Sequence, residues 1–196
     1  MKRLGLLLLI LATSLLLGEI AFAQGDNSYY FTTYYSNANT SGAPDGTVRI
    51  INDGEYNGSP YHNLWAAIYV FDDSEELQEC CSCVVTPDGL LSESVNKELT
   101  ANPLRGIPPT RGVIKVIATT GNSATTLFPT PGLRVWATHV QATSNQPEKG
   151  PFFVTETPAA DSNLSAAEQT LLQNLCSYDA MLSGTPCICT PEDQDF

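Results

Sequence analysis

The chain has 196 residues, with 9 Lys plus Arg against 21 Asp plus Glu, a formal net charge of −12 and a sequence pI of ≈ 4.3. So acidic a chain, its basic residues scattered, argues against a nucleic-acid partner, because phosphate recognition rests on clustered Lys and Arg. An anionic membrane surface is disfavoured for the same reason.

Lys2 and Arg3 form a short positive head, Leu4–Gly18 an apolar run, and Ala21-Phe22-Ala23 a small-residue cleavage site. This pattern predicts a secretory signal peptide over residues 1–23, since the run is short for a spanning helix of about 20 residues. No cysteine follows the run, so a lipid-modified terminus is not expected. Cleavage would leave 173 residues from Gln24, carrying 7 basic and 20 acidic side chains, a net charge of −13. Residues 24–196 are read as a single domain, since that length fills one core and leaves little for a second. No second apolar run of spanning length follows, so no membrane span is expected after cleavage. The protein is expected to be secreted or held at the cell surface, in an extracellular or periplasmic setting.

Next in the chain, Tyr29–Ser36 (YYFTTYYS) reads as a strand, with Tyr29, Phe31 and Tyr35 on one face and Tyr30 and Tyr34 on the other. It is either an ordinary first strand or a candidate assembly strand that adds to the sheet of a neighbouring subunit. Exposed Tyr rings, with Trp65 and Trp136, would also suit a glycan. Four of the next apolar runs are bounded by turn residues and rich in Val, Ile, Thr and aromatics: Thr47–Ile51, Leu64–Phe71, Gly112–Thr119 and Leu133–Gln141. With Phe152–Thr157 they are predicted strands. Leu64–Phe71 is apolar on both faces, as a strand in the middle of a packed sheet should be, which places Trp65 in the core. Asn52-Asp53-Gly54, Pro44–Gly46 and Pro87–Gly89 carry turn chemistry. Asp72–Glu79 (DDSEELQE) offers oxygens from Asp72, Asp73, Glu75 and Glu76 to a calcium ion, but lacks the glycine and terminal glutamate of the known loop. A solvated turn leaving a strand is the simpler reading.

Near the C-terminus, Ser165 and Glu168 form a capping box. Leu171, Leu172, Leu175, Cys176 and Leu182 then recur at helical spacing up to Gly184. Strands followed by one helix, without alternating strand–helix units, predict an all-β fold: an antiparallel, immunoglobulin-like β-sandwich with one C-terminal α-helix.

The six cysteines fall three and three: Cys80, Cys81 and Cys83, then Cys176, Cys187 and Cys189. In an exported chain an even set reads as a disulfide framework linking the first cluster to the second. A bridge between the adjacent Cys80 and Cys81 would be strained. In a strand Cys81 and Cys83 share a face, as do Cys187 and Cys189, so antiparallel segments would join Cys81 to Cys189 and Cys83 to Cys187, leaving Cys80 for Cys176. Zinc prefers wider spacing and nearby histidine. A copper(I)-thiolate cluster and a Cys-x-x-Cys redox centre are weaker readings. No cofactor and no resident metal are expected.

Together the stretches DGTVRIIND, AAIYVFDD, ECCSC, TPDGL and LTANPL resemble a group of uncharacterised secreted bacterial proteins, from about Thr47 to the final cysteines. The resemblance implies secretion and paired cysteines and carries no activity and no site residues. In a bacterial chain the Asn-x-Ser/Thr sequons at Asn39, Asn57 and Asn163 carry no glycan.

No nucleophile elbow, metalloprotease helix or phosphate-cradling glycine loop is present. The two histidines, His62 and His139, read as surface or half-buried residues rather than catalytic bases. The expected function is therefore that of a non-catalytic structural or adhesive protein, with a glycan- or small-ligand-binding module as the alternative. A hydrolase assembled in space comes third.

Overall fold

The computed structural model describes residues 28–54, 56, 62–143, 151–182, 187 and 189. The expected signal peptide, the Asn57 sequon and the helix stop at Gly184 lie outside the described residues. Nine strands are described: β1 (Tyr30–Ser36), β2 (Thr47–Asn52), β3 (Leu64–Asp72), β4 (Leu77–Val85), β5 (Leu90–Ser94), β6 (Arg111–Thr119), β7 (Leu133–Ala142), β8 (Phe152–Pro158) and β9 (Ala160–Asp161). A π-helical turn, Val95–Leu99, follows β5, and one helix, α1 (Ala166–Leu182), follows β9. All pairings are antiparallel, in a five-stranded sheet ordered β4-β3-β6-β1-β9 and a four-stranded sheet ordered β5-β2-β7-β8.

Strand alternation builds the core. Phe31, Ile68 and Val116 of the first sheet meet Val48, Ile50 and Val135 of the second in one buried cluster. The outer face of the first sheet presents Tyr30, Ala67, Tyr69 and Ile117, which pack with Leu172 and Cys176 of α1. So β3, lying between β4 and β6, is covered on both faces, and this explains its unbroken apolar run. Trp65, at the end of that strand, is only half-buried. On β7, Leu133, Val135 and Ala137 point inward, as their alternation predicts.

Besides Trp65, which was expected in the core, three features depart from the expectations. Leu77–Glu79 belongs to β4, and Gln78 and Glu79 are each 1 % exposed, so only the first part of the acidic run forms a turn. The sequence signal was inverted because buried Glu and Gln are rare. Second, β5 and the π-turn follow Pro87–Gly89 without a clear apolar pattern. Third, the capping box is half made. Ser165 Oγ accepts from the Glu168 N–H at 3.1 Å, but Glu168 Oε1 accepts from Lys115 Nζ at 2.6 Å and from the Tyr30 hydroxyl at 3.1 Å. The glutamate thus ties α1 to the sheet instead of closing its own first turn.

Candidate functional site

The cysteines form three disulfides, Cys80–Cys176, Cys81–Cys187 and Cys83–Cys189, and none is free. Cys80 follows the outer face of β4 onto α1, whereas Cys81 belongs to the inter-sheet core, as period-two alternation requires of neighbours on a strand. The adjacent cysteines therefore clamp one strand from its two faces. The expected crosswise pairing of the last four is corrected: Cys187 and Cys189 meet Cys81 and Cys83 in the same order. Cys187 and Cys189 therefore follow the chain direction of Cys81 and Cys83 instead of opposing it. Cys81, Cys83 and Cys189 bring three sulfurs within 4.8 Å of one another, the one metal-like cluster among the described residues. All three are held in disulfide bonds, which leaves no thiolate to ligate.

The acidic run does not converge. Asp72 Oδ1 accepts from the Ser74 and Glu76 N–H groups at 2.8 and 3.1 Å, and its Oδ2 accepts from Gln78 Nε2 at 2.8 Å. Asp73 pairs with Arg111 at 2.7 Å, and Glu76 with Arg105. Glu79 turns inward, where Oε1 accepts from the Asn102 N–H at 2.6 Å. Burial pushes its carboxyl up to about 7, the Asn102 bond opposes this, and nearby Asp179 adds to the rise. These carboxylates brace the β3–β4 turn and the edge of β4, and the arrangement offers no common point for a calcium ion.

His139 is held at both ring nitrogens. His139 Nδ1 lies 3.1 Å from the Tyr34 carbonyl and Nε2 lies 2.9 Å from Thr157 Oγ1. A carbonyl only accepts, so Nδ1 carries the proton and Nε2 accepts from the threonine. Burial lowers the pKa of this ring and the carbonyl contact partly restores it, leaving it below the usual histidine value. Tyr34 stacks on it with ring centroids 4.0 Å apart. The His62 ring meets the edge of Tyr56, at 5.6 Å between centroids, and its carbonyl accepts from Asn52 Nδ2 at 3.1 Å.

The candidate assembly strand is placed inside its own sheet. β1 pairs along its whole length with β6, and Phe31 and Thr32 pair with β9 on the other side. Tyr30, Phe31 and Tyr35 are buried, Tyr29 is half-buried, and only Tyr34 of the five is exposed. Its remaining edge is met by the second sheet, where Ser36 Oγ and Asn37 Nδ2 donate to the Val140 carbonyl. These rings are core and corner, not a free strand.

Among the described residues, an unpaired edge exists elsewhere. Two sheets have four edges, and three are guarded by the devices that keep edges from pairing with other chains. On β4, the Leu104 N–H donates to the Gln78 carbonyl at 2.9 Å, and disulfides hold both faces. β5 has five residues and carries the fully buried Glu93. β9 has two residues. β8 has seven, a single charge at Glu156, and proline only at its last position. Phe153 is 67 % and Val154 52 % exposed, because β8 overhangs the core. Nothing in the sequence separated this strand from the others: its apolar run looks like any core strand, and exposure depends on what lies opposite.

No family model, curated protein or solved structure matches the chain.

No described helix is long and apolar enough to cross a membrane.

Proposed function

We propose that this is a secreted or cell-surface, non-catalytic protein with a structural or adhesive role, a subunit of an extracellular assembly. The observation that carries it is the β8 edge, a strand with exposed Phe153 and Val154 and no covering segment among the described residues. Main-chain groups along such an edge give affinity to any partner strand, and exposed side chains select it. The supporting circumstance is the three disulfides, which suit an oxidising compartment. An immunoglobulin-like sandwich belongs to this reading, in keeping with a chain that alternates between its two antiparallel sheets.

The experiment is fractionation of cells producing the full-length chain, beside a Phe153→Ser/Val154→Thr variant. The wild type is expected on the washed cell surface in oxidised form, and the variant is expected in the medium. Reduced protein in the cytoplasm, or equal surface retention of both forms, overturns the proposal.

A second reading, a small-ligand module, is favoured by a groove of ≈ 450 Å³ along α1, lined by Phe71, Asp72, Val113, Lys115, Leu171 and Leu175. Its mixed apolar and charged lining suits an amphipathic ligand. Leu171→Asp is expected to abolish ligand-induced thermal stabilisation if that reading holds.

A further inference from the structure

We infer that the partner of the β8 edge is β8 of a second copy, paired antiparallel about a two-fold axis at Val154. This rests on the proposed assembly role and names its partner. The phase of the β7–β8 ladder is set at both ends. The Thr143 N–H donates to the Pro151 carbonyl at 3.2 Å, and the Ala159 N–H donates to the Val135 carbonyl at 2.9 Å. Between these, hydrogen-bonded pairs alternate with non-bonded ones. The register pairs Gln141 with Phe153, His139 with Thr155 and Ala137 with Thr157, so those three residues of β8 bond inward to β7. Phe152, Val154 and Glu156 therefore direct their N–H and C=O groups outward. Pro158 also faces outward but has no N–H, and it closes the usable edge.

Only one register satisfies all three outward residues in a symmetric pair. With Val154 opposite Val154 of the second copy, Phe152 falls opposite Glu156 and Glu156 opposite Phe152. Each opposed pair exchanges two bonds, giving six N–H···O contacts and a continuous eight-stranded sheet. Within β8, shifting the axis to Phe152, Phe153, Thr155 or Glu156 leaves outward groups unpaired; at Thr155 it is the Phe152 carbonyl, because Pro158 has no N–H to offer it.

Charge favours the same register. Each chain is strongly acidic, at −12, so a self-contact must keep its carboxylates apart. Glu156 is the one acid on β8, and this register sets it against an apolar ring instead of its own copy. Glu156 already pairs with Arg49 at 2.6 Å, which reduces its charge further. Phe153 lies diagonally across the axis from Phe153 of the second copy, giving both exposed rings apolar neighbours.

A strand pair alone lies at the small end of specific interfaces, below about 1,200 Å². The dimer is therefore reversible and concentration-dependent.

The test uses the mature, oxidised chain in sedimentation equilibrium across a concentration series, with amide exchange measured at low and high concentration. A monomer–dimer equilibrium is expected, and the amides of Phe152, Val154 and Glu156 should gain protection at high concentration. Those of Phe153, Thr155 and Thr157, already bonded to β7, should not change. Val154→Pro removes an N–H that the fold does not use and two of the six contacts, so the dimer dissociation constant should rise at least ~30-fold. A wild-type monomer at every concentration, or a dimer without protection at those three amides, overturns the inference. If such a monomer is still retained on cells through Phe153 and Val154, the proposed function stands and only the self-pairing fails.

Discussion

A methyl group added at Gly112 would stand 1.8 Å from the Phe71 carbonyl oxygen and 2.8 Å from the Tyr35 hydroxyl, which itself donates to that carbonyl. The obstacle is backbone on a paired strand, where little can move. Gly112→Ala is therefore expected to cost about 2–4 kcal/mol, read as a lower urea midpoint. Glu79 gives a pH-dependent counterpart. Its folded carboxyl titrates near 7 against 4.5 for the ordinary group, so between those values the native state holds more protons than the unfolded one. Its contribution is thus fully present below pH 4.5 and is lost as pH rises through 7. Glu79→Gln keeps the acceptor for Asn102 and cannot ionise. Its stability relative to wild type should improve by about 1–2 kcal/mol between pH 5 and pH 8 in denaturant titrations. A constant difference across that range would refute the burial argument.

At the scale of elements, α1 is held by a narrow contact. Leu172, Cys176 and Asp179 are its buried residues, while Leu171, Tyr178, Met181 and Leu182 are exposed. The Cys80–Cys176 bridge closes a sequence separation of 96 and constrains the unfolded chain accordingly. Replacing both cysteines with serine is expected to cost about 3–5 kcal/mol. Amide exchange should accelerate first in α1, since β3 and β6 keep both neighbours. Uniform acceleration through the sheets would show that the helix and sheets open as one unit. The six cysteines were legible as two linked clusters, because compartment and strand parity are sequence properties. Their order was not: parallel or antiparallel docking of the tail depends on where α1 delivers it.

For the whole molecule, charge and edge act against each other. Two copies each carrying −12 repel across the β8 pair, and dissolved ions screen that repulsion within about 10 Å at 0.1 M salt. Self-association is therefore expected to strengthen, not weaken, as salt rises from about 20 to 200 mM. Light scattering at fixed protein concentration would read this directly, and weakening with salt would mean that ion pairs hold the dimer. Solubility should be least near the pI of ≈ 4.3, where the opposing charge vanishes.

The sequence alone determined that β1, β2, β3, β6, β7 and β8 extend and that α1 coils, but not β4, β5 or β9. Apolar alternation in Leu133–Gln141, the doubly apolar run of Leu64–Phe71 and the Ser165 cap are local signals that physics reads within a few residues. It also determined that the cysteines pair between clusters. Only the tertiary structure decided that Tyr30, Phe31 and Tyr35 are core, that Glu79 is buried, and that Phe153 and Val154 are left outside. Burial and edge position are set by which strands become neighbours. Those neighbours come from distant parts of the chain: β1 beside β6, β2 beside β7. The same extended segment is a core strand when covered and an exposed edge when nothing lies opposite it.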